Sequence, residues 1–336
     1  ILRTLLCLLA GTLYAVCLSA CDAKEPLSEN RDAEIESPVI ANDLSNQKVT
    51  AIAEDTQGHI WIGTFRGLNK NNVHDYHQYF CTDDSLGLPD NQITHLLRDS
   101  KNRFWVGTVN GVCLYTDKDN FRIIPIEADN KNVRQILEDR NGRIFLNTGF
   151  QLYAYHPREE KITCVLPEIS PGNAFYAQCH IAPDNNLWVM TSTGLRCYDP
   201  STLQLKESVA LSGYPYYSYL HNNELWITGN HTLSIFDTRT HSFKPLPQPI
   251  AHNTTLCNAD IDYIHPYGNN GLLLNTARHG MFYYNPGTGS VTRQDENGFP
   301  FEMPRFRISR MFTDSQQNLW IGSVDQGYTV CYHYKE

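Results

Sequence analysis

The chain has 336 residues, 41% hydrophobic and 19% charged, with a formal net charge of -9. That composition can bury a core and excludes a disordered chain. The acidic balance and the lack of any Lys/Arg cluster exclude a phosphate-neutralising surface, so no nucleic acid is expected as a partner.

Residues 1–21 read as an export signal: Arg3, an apolar stretch from Leu5 to Leu18, then small residues before Cys21. The stretch is short for a membrane span. Leu18-Ser19-Ala20-Cys21 also fits a lipoprotein signal with Cys21 as the lipidated residue, so the expected location is periplasmic, tethered or lipid-anchored. Residues 22–36 are acidic and polar and are expected to form a flexible tether. Ser37–Leu44 contains Pro-Val-Ile and reads as a strand.

From Val49 onward one unit recurs. VTAIAEDTQGHIWIGTFRGL starts at Val49, ITHLLRDSKNRFWVGTVNGV at Ile93 and ISRMFTDSQQNLWIGSVDQG at Ile308. Weaker copies start at Val133, His180, Leu220 and Tyr267. Aligned, they place Trp61, Trp105, Phe145, Trp188, Trp226, Leu273 and Trp320 in one column, at intervals of 44, 40, 43, 38, 47 and 47 residues. All five tryptophans of the chain fall in it. This is the period of a four-stranded blade. The fold expected is therefore all-β, a seven-bladed β-propeller of four-stranded antiparallel blades. The blades lie near 49–82, 93–127, 133–167, 174–211, 217–247, 258–294 and 306–336, with 37–44 completing the last.

Within each unit a short alternating strand A precedes an Asx-type turn headed by Asp55, Asp99, Asp139, Asp184 or Asp314. Strand B is a continuous apolar run such as Ile60–Ile62, suited to burial on both faces. A Thr/Gly turn leads to strand C, and YHPREEKI, YDPSTLQL, FDTRTHSF and YNPGTGSV read as C–D hairpins. The column residues are expected to pack blade on blade, with Leu273 making the sixth blade the softest. The longest connections between blades, Cys81–Gln92, Gln248–Asp260 and Asp295–Arg305, are candidates for docking a second propeller or a homodimer partner.

Chemistry-bearing motifs are few. No nucleophile elbow, phosphate loop or HExxH stands in the sequence, and no cofactor, catalytic residue or metal site is expected. His74 and His77 sit on opposite faces of a strand, and Asp83, Asp84 and Asp90 read as a solvated acidic loop. Of ten cysteines, Cys7, Cys17 and Cys21 lie in the leader, while Cys113, Cys197 and Cys331 occupy nearly equivalent strand positions as small buried residues. The B–C turns bring Arg66, Asn110, Phe150, Thr193, Asn230, His231, Arg278, His279, Asp325 and Gln326 to one mouth of the ring. These vary between copies while the flanking Gly and Thr do not. Planar polar groups beside an aromatic suit sugar hydroxyls, and Arg66 or Arg278 a uronate or sulfate.

The pattern spanning Ile52 to Leu68, repeated at Leu96–Val112 and less fully at Met311–Gly327, resembles the two-component regulator propeller repeat. The resemblance covers Val49 to Glu336; the third, fifth and sixth copies lack the full Trp-hydrophobic-Gly-Thr core. It implies the periplasmic sensor portion of a hybrid two-component system of Bacteroidetes type, detecting a glycan-derived oligosaccharide and signalling to a histidine kinase beyond this chain. The expectation is a piece of such a sensor. The alternative is a stand-alone secreted or lipid-anchored propeller, acting as a lyase-like enzyme or an interaction scaffold.

Overall fold

The computed structural model describes residues 43–71, 76–82, 86–116, 118–169 and 177–332. The signal, Cys21, the tether, the closing strand before Asp43, His74, Asp83 and Asp84 lie outside the described residues.

Six sheets have four antiparallel strands and a seventh has three, each a meander in which consecutive strands pair. The first runs Val49–Glu54, Ile60–Thr64, Gly67–Asn71 and Tyr76–Tyr79, and the last Ile308–Thr313, Leu319–Ser323 and Tyr328–Cys331. This is the seven-bladed β-propeller. The column holds in register: Trp61 pairs with Ala53, Trp105 with Leu97, Phe145 with Leu137, Trp188 with His180, Trp226 with Tyr219, Leu273 with His265 and Trp320 with Phe312.

Each interface between blades has its own apolar cluster, led by the column residue. Trp61 meets Phe104 of the next blade, Trp105 meets Tyr155, Phe145 meets Tyr198, Trp188 meets Phe236 and Trp226 meets Phe282. Leu273 packs on Met311 and Leu319. Trp320 packs on Ile60, Ile62 and Leu44, which joins blade 7 to blade 1. A large aromatic buries roughly 150–250 Å², worth ~4–6 kcal/mol at about 25 cal/mol per Å² before entropy. The sheets approach closely where strand B carries Gly63. A Cβ there would lie 2.5 Å from Ile93 Cγ2 of the neighbouring blade.

The smaller Leu273 is fully buried, and aromatic side chains of the following connection fill its surroundings: Phe299, Phe301 and Phe306 join the same cluster. The other long connections also anchor on their own propeller. Leu88 is buried between blades 1 and 2. Gln248–Asp260 contributes two single-turn helices, Gln248–Ala251 and Thr254–Cys257, that bury Ile250 and Leu256 between blades 5 and 6.

The Asx turns explain the Asp column. Asp99 Oδ1 accepts the backbone N–H of Lys101 (3.0 Å) and Arg103 (2.8 Å), and Oδ2 accepts Trp105 Nε1 (2.8 Å) and Arg103 Nε (2.6 Å). Asp55 and Asp314 hold Trp61 and Trp320 at 2.8 and 2.9 Å. Burial pulls the Asp55 carboxyl upward, but the Trp61 indole and the His59 and Gln57 N–H groups outweigh it and hold it below the usual range. In blade 3 the column residue is Phe145, and Arg143 Nε takes the Asp139 carboxylate instead, at 2.7 Å. Blade 4 corrects the sequence alignment. Ala182, not Asp184, occupies the equivalent position, its N–H bonding Asn186 O as Asp99 N–H bonds Arg103 O. Asp184 is exposed and holds Asn186, and among the described residues the buried Trp188 indole N–H has no acceptor.

Ring closure shows in polar contacts too. The Glu54 carboxylate accepts Ser315 N–H and Oγ–H of blade 7, at 2.8 and 2.6 Å. The Glu138 carboxylate accepts the same two groups of Ser100 inside the ring. Among the described residues no helix is long and apolar enough to cross a membrane.

Candidate functional site

Strand order puts the B–C turns and the connections between blades at one end of the ring, and the A–B and C–D turns at the other. The repeated Gly-Thr element builds the first end. Thr108 Oγ accepts Asn110 N–H (3.2 Å) and donates to Gly111 O (2.9 Å), and Thr64 does the same with Arg66 N–H and Gly67 O. Thr191 serves Thr193, Thr276 serves His279 and Ser323 serves Asp325 and Gln326. Gly67 closes the turn at φ +108°, a conformation L side chains rarely adopt. The hydroxyl fixes the backbone of the turn, so the intervening side chain is not needed to hold it. All ten predicted turn residues, Arg66 through Gln326, are exposed at this end.

They do not converge into one site. Arg278, Asp325 and Gln326 share a cleft of about 440 Å³ between blades 6 and 7, with Asn275, Arg305 and Arg307. Asn230 lines a second cleft of about 560 Å³ with Tyr214, Tyr216, Asp260 and Asp262. His231 is tied to the neighbouring connection, its N–H on Asp260 Oδ1 (3.1 Å) and its Nδ1 2.9 Å from Asn258 O. Arg66, Asn110, Phe150 and Thr193 stand on the first four blades, away from both clefts.

Sequence reasoning missed the residues inside the ring. A central channel of about 630 Å³ is lined by strand A of every blade. One register position contributes Ala51, His95, Gln135, Gln178, Tyr217, Tyr263 and Arg310, each opposite the strand-B residue two after the column. Five of them reach the next blade. His95 bonds the backbone of Ile136; Gln135 Oε1 accepts Cys179 N–H (2.9 Å) and Gln178 Oε1 accepts Ser218 N–H (2.6 Å). Tyr217 OH donates to Ile264 O (3.3 Å) and Tyr263 OH to Met311 O (3.4 Å). Arg310 instead stays exposed in the channel. Burial, with the charge of Arg310, pushes His95 down to about 4, and burial alone pushes His180 to about 4.

A β-bulge at the start of strand A in blades 1, 2, 5, 6 and 7 leaves Thr50, Thr94, Tyr216, Asp262 and Ser309 out of register. Bulges re-aim side chains. Of these, Thr50, Thr94, Tyr216 and Asp262 line the channel, and Asp262 also lines both clefts. Its carboxylate accepts Asn275 Nδ2 at 2.6 Å, and burial raises its pKa. Burial, then the charges of Asp260 and Asp262, push Tyr216 up to about 12. Beside it Tyr214 is 73% exposed. Asp262 therefore joins the channel mouth to an aromatic cleft on one side and an arginine-rich cleft on the other. Among the described residues no group of three or more His, Cys, Asp or Glu could hold a metal ion.

This is a β-propeller whose variable B–C turn residues stand exposed around one end of the ring, with two clefts there over blades 5 to 7. Residues 43–66 and 87–110 match the two component regulator propeller family, so the first two blades carry that repeat. The extracellular domain of the putative hybrid two component system BT3049 from B. thetaiotaomicron superposes with a TM-score of 0.69 at 20% identity, over 85% of this chain and 40% of that one. That of BT4673 gives 0.69 and 20%, over 89% and 40%. The chain thus spans 40% of the length of these extracellular domains. Virginiamycin B lyase from Staphylococcus aureus superposes with a TM-score of 0.66 at 14% identity, over 88% of this chain and 99% of that one. At such identities the likeness is one of fold. No curated protein sequence matches the chain.

Proposed function

We propose that this propeller is the extracytoplasmic ligand-sensing region of a hybrid two-component sensor and that its ligand is a glycan-derived oligosaccharide. The observation that carries the reading is the convergence of two clefts and the channel on Asp262. Tyr214 and Tyr216 offer exposed aromatic faces for the apolar face of a pyranose. Asp262 and Asn275 supply the acceptor and amide that vicinal hydroxyls require. Arg278, Arg305 and Arg307 suit the carboxylate or sulfate of an acidic sugar. The sensor repeat in the first two blades supports a role in signalling, with the ligand changing how this end meets a neighbouring domain.

Titration of the chain with neutral and acidic oligosaccharides by isothermal calorimetry tests the reading. A binding sugar should lose about tenfold or more in affinity on Asp262→Asn or Tyr214→Ala, the loss of one charge-assisted hydrogen bond or one stacking face. An acidic one should lose as much on Arg278→Ala. Affinity unchanged by all three substitutions would place the ligand elsewhere.

A further inference from the structure

Arg310 departs from the other residues at its register position in the channel. His95, Gln135, Gln178, Tyr217 and Tyr263 each bond the next blade from that position, and Ala51 has no polar side chain to offer. Arg310 holds only the carbonyl of its chain neighbour Ser309, through Nη1 at 2.7 Å. Among the described residues it forms no ion pair, and its Nε–Nη2 edge has no hydrogen-bond partner. The side chain is exposed and lines the channel of about 630 Å³. Its charge acts on His95 of blade 2 and on Tyr217 of blade 5, which lie two blades away in opposite directions around the ring. A charge felt by both stands inside the lumen, open to a solute. The fold does not use it.

The surroundings choose the ligand. Two arginines, Arg134 and Arg310, and one aspartate, Asp262, line the channel, and burial keeps His95 and His180 uncharged at neutral pH. One positive charge is in excess, between low-dielectric walls that focus its field. A monoanion brings the channel to neutrality, whereas a sulfate or phosphate dianion leaves it with a net negative charge that is costly to hold away from water. The Nε–Nη2 edge of a guanidinium presents two parallel N–H donors that match a planar carboxylate. Tyr217 and Tyr263, with ring centroids 5.8 Å apart on the channel wall, offer apolar surface to a carbon skeleton. We propose that the channel is an anion site in which Arg310 takes a monocarboxylate through its Nε–Nη2 edge. A free organic acid and a sugar acid present the same group. The site draws on none of Tyr214, Arg278 and Arg305 of the mouth clefts, so it stands or falls apart from them.

The test is isothermal calorimetry of the chain with acetate, glucuronate, sulfate and glucose, at neutral pH in a chloride-free buffer of low ionic strength. A carboxylate is expected to bind more tightly than sulfate or glucose. Tighter acetate marks a free acid as the source, and tighter glucuronate a sugar acid. Arg310→Gln should weaken the carboxylate about tenfold or more, the loss of a charge-assisted bidentate pair. Arg310→Lys, which keeps the charge without the fork, should weaken it less, and Arg278→Ala in the mouth cleft should leave it unchanged. A second readout comes from the ¹⁵N-arginine spectrum of the wild-type chain. There saturating carboxylate should shift the Nε–H resonance that Arg310→Lys removes. No carboxylate binding, equal affinity in Arg310→Gln, or a loss on Arg278→Ala alone overturns the proposal.

Discussion

Replacing Asp99 by Asn tests the turn-to-tryptophan hydrogen bond that recurs around the ring. Asp99 is 2% exposed and Trp105 is fully buried. The amide oxygen can still accept the N–H groups of Lys101 and Arg103, so the turn itself survives. The amide nitrogen, however, takes the place of Oδ2 and confronts two donors, Trp105 Nε1 and Arg103 Nε. Leaving the indole unsatisfied costs about 1–3 kcal/mol. Loss of the Arg103 pair adds about 1 kcal/mol, because that side chain is partly solvated. The expected total is about 2–4 kcal/mol of unfolding free energy, read from urea denaturation followed by tryptophan fluorescence. Asp184→Asn is the control. That carboxylate lies two residues further along the A–B turn of blade 4 and bonds Asn186 rather than a tryptophan, so its loss should stay within about 0.5 kcal/mol. A double-mutant cycle with Trp105→Phe should return a coupling of about 1 kcal/mol or more, since the phenyl ring leaves no orphaned donor. Equal costs for the two Asp→Asn variants, or no coupling, would refute the reasoning.

The same geometry predicts a gain. Ala182→Asp in blade 4 rebuilds the Asp314–Asn318–Trp320 arrangement of blade 7 around Asn186 and Trp188, and should stabilise the chain by about 1 kcal/mol in a denaturant titration; a lower midpoint contradicts it. Glu54→Ala should destabilise as much as Glu138→Ala, each by about 1.5–3 kcal/mol, because both carboxylates make the same pair of bonds to a serine of an adjacent blade. A negligible cost at Glu54 alone would mean that the junction of blades 7 and 1 does not carry load in solution. Burial holds His95, His180 and His265 at about 4. The unfolded chain titrates these groups near 6.5 and so binds more protons between the two values. Stability is then complete above about pH 6.5 and is lost as pH falls toward 4, by up to ~4 kcal/mol per pH unit for three groups. Denaturant titrations at stepped pH check this, and His265→Gln should remove about a third of the slope.

The fold was legible because large residues repeat where the physics repeats. Strand B is covered on both faces in every blade, so its apolar run and its tryptophan recur in sequence as they recur in space. The misplacement of Asp184 shows the limit of that signal. An aspartate in the turn was visible, but only its distance from the tryptophan, four residues instead of six, tells whether it can reach the indole. Trp226 was legible as a column residue, but not that its buried indole N–H lacks an acceptor among the described residues, because the turn before it is only Asn222–Asn223 where blade 1 has the five residues between Glu54 and Ile60. The ten B–C turn positions were readable from the Gly-Thr frame around them, and all are exposed. Strand A was readable as the strand lining a central channel, but which of its residues face the channel was not. Ala51, His95, Gln135, Tyr217 and Arg310 share a register position but no residue type: His95, Gln135 and Tyr217 each solve their own contact with the next blade, while Arg310 stays exposed in the channel. Asp262 and Tyr216 were hidden by the bulges, which put them out of step with the alternation by which strand A is recognised.

The most direct measurement of the central claim is hydrogen–deuterium exchange of the chain with and without a bound oligosaccharide. Protection is expected in the peptides spanning Tyr214–Tyr216, Asp260–Asp262 and Arg305–Ile308, the backbone around the two clefts and the channel mouth. Protection confined to the A–B and C–D turns, or none at saturating ligand, would contradict the account.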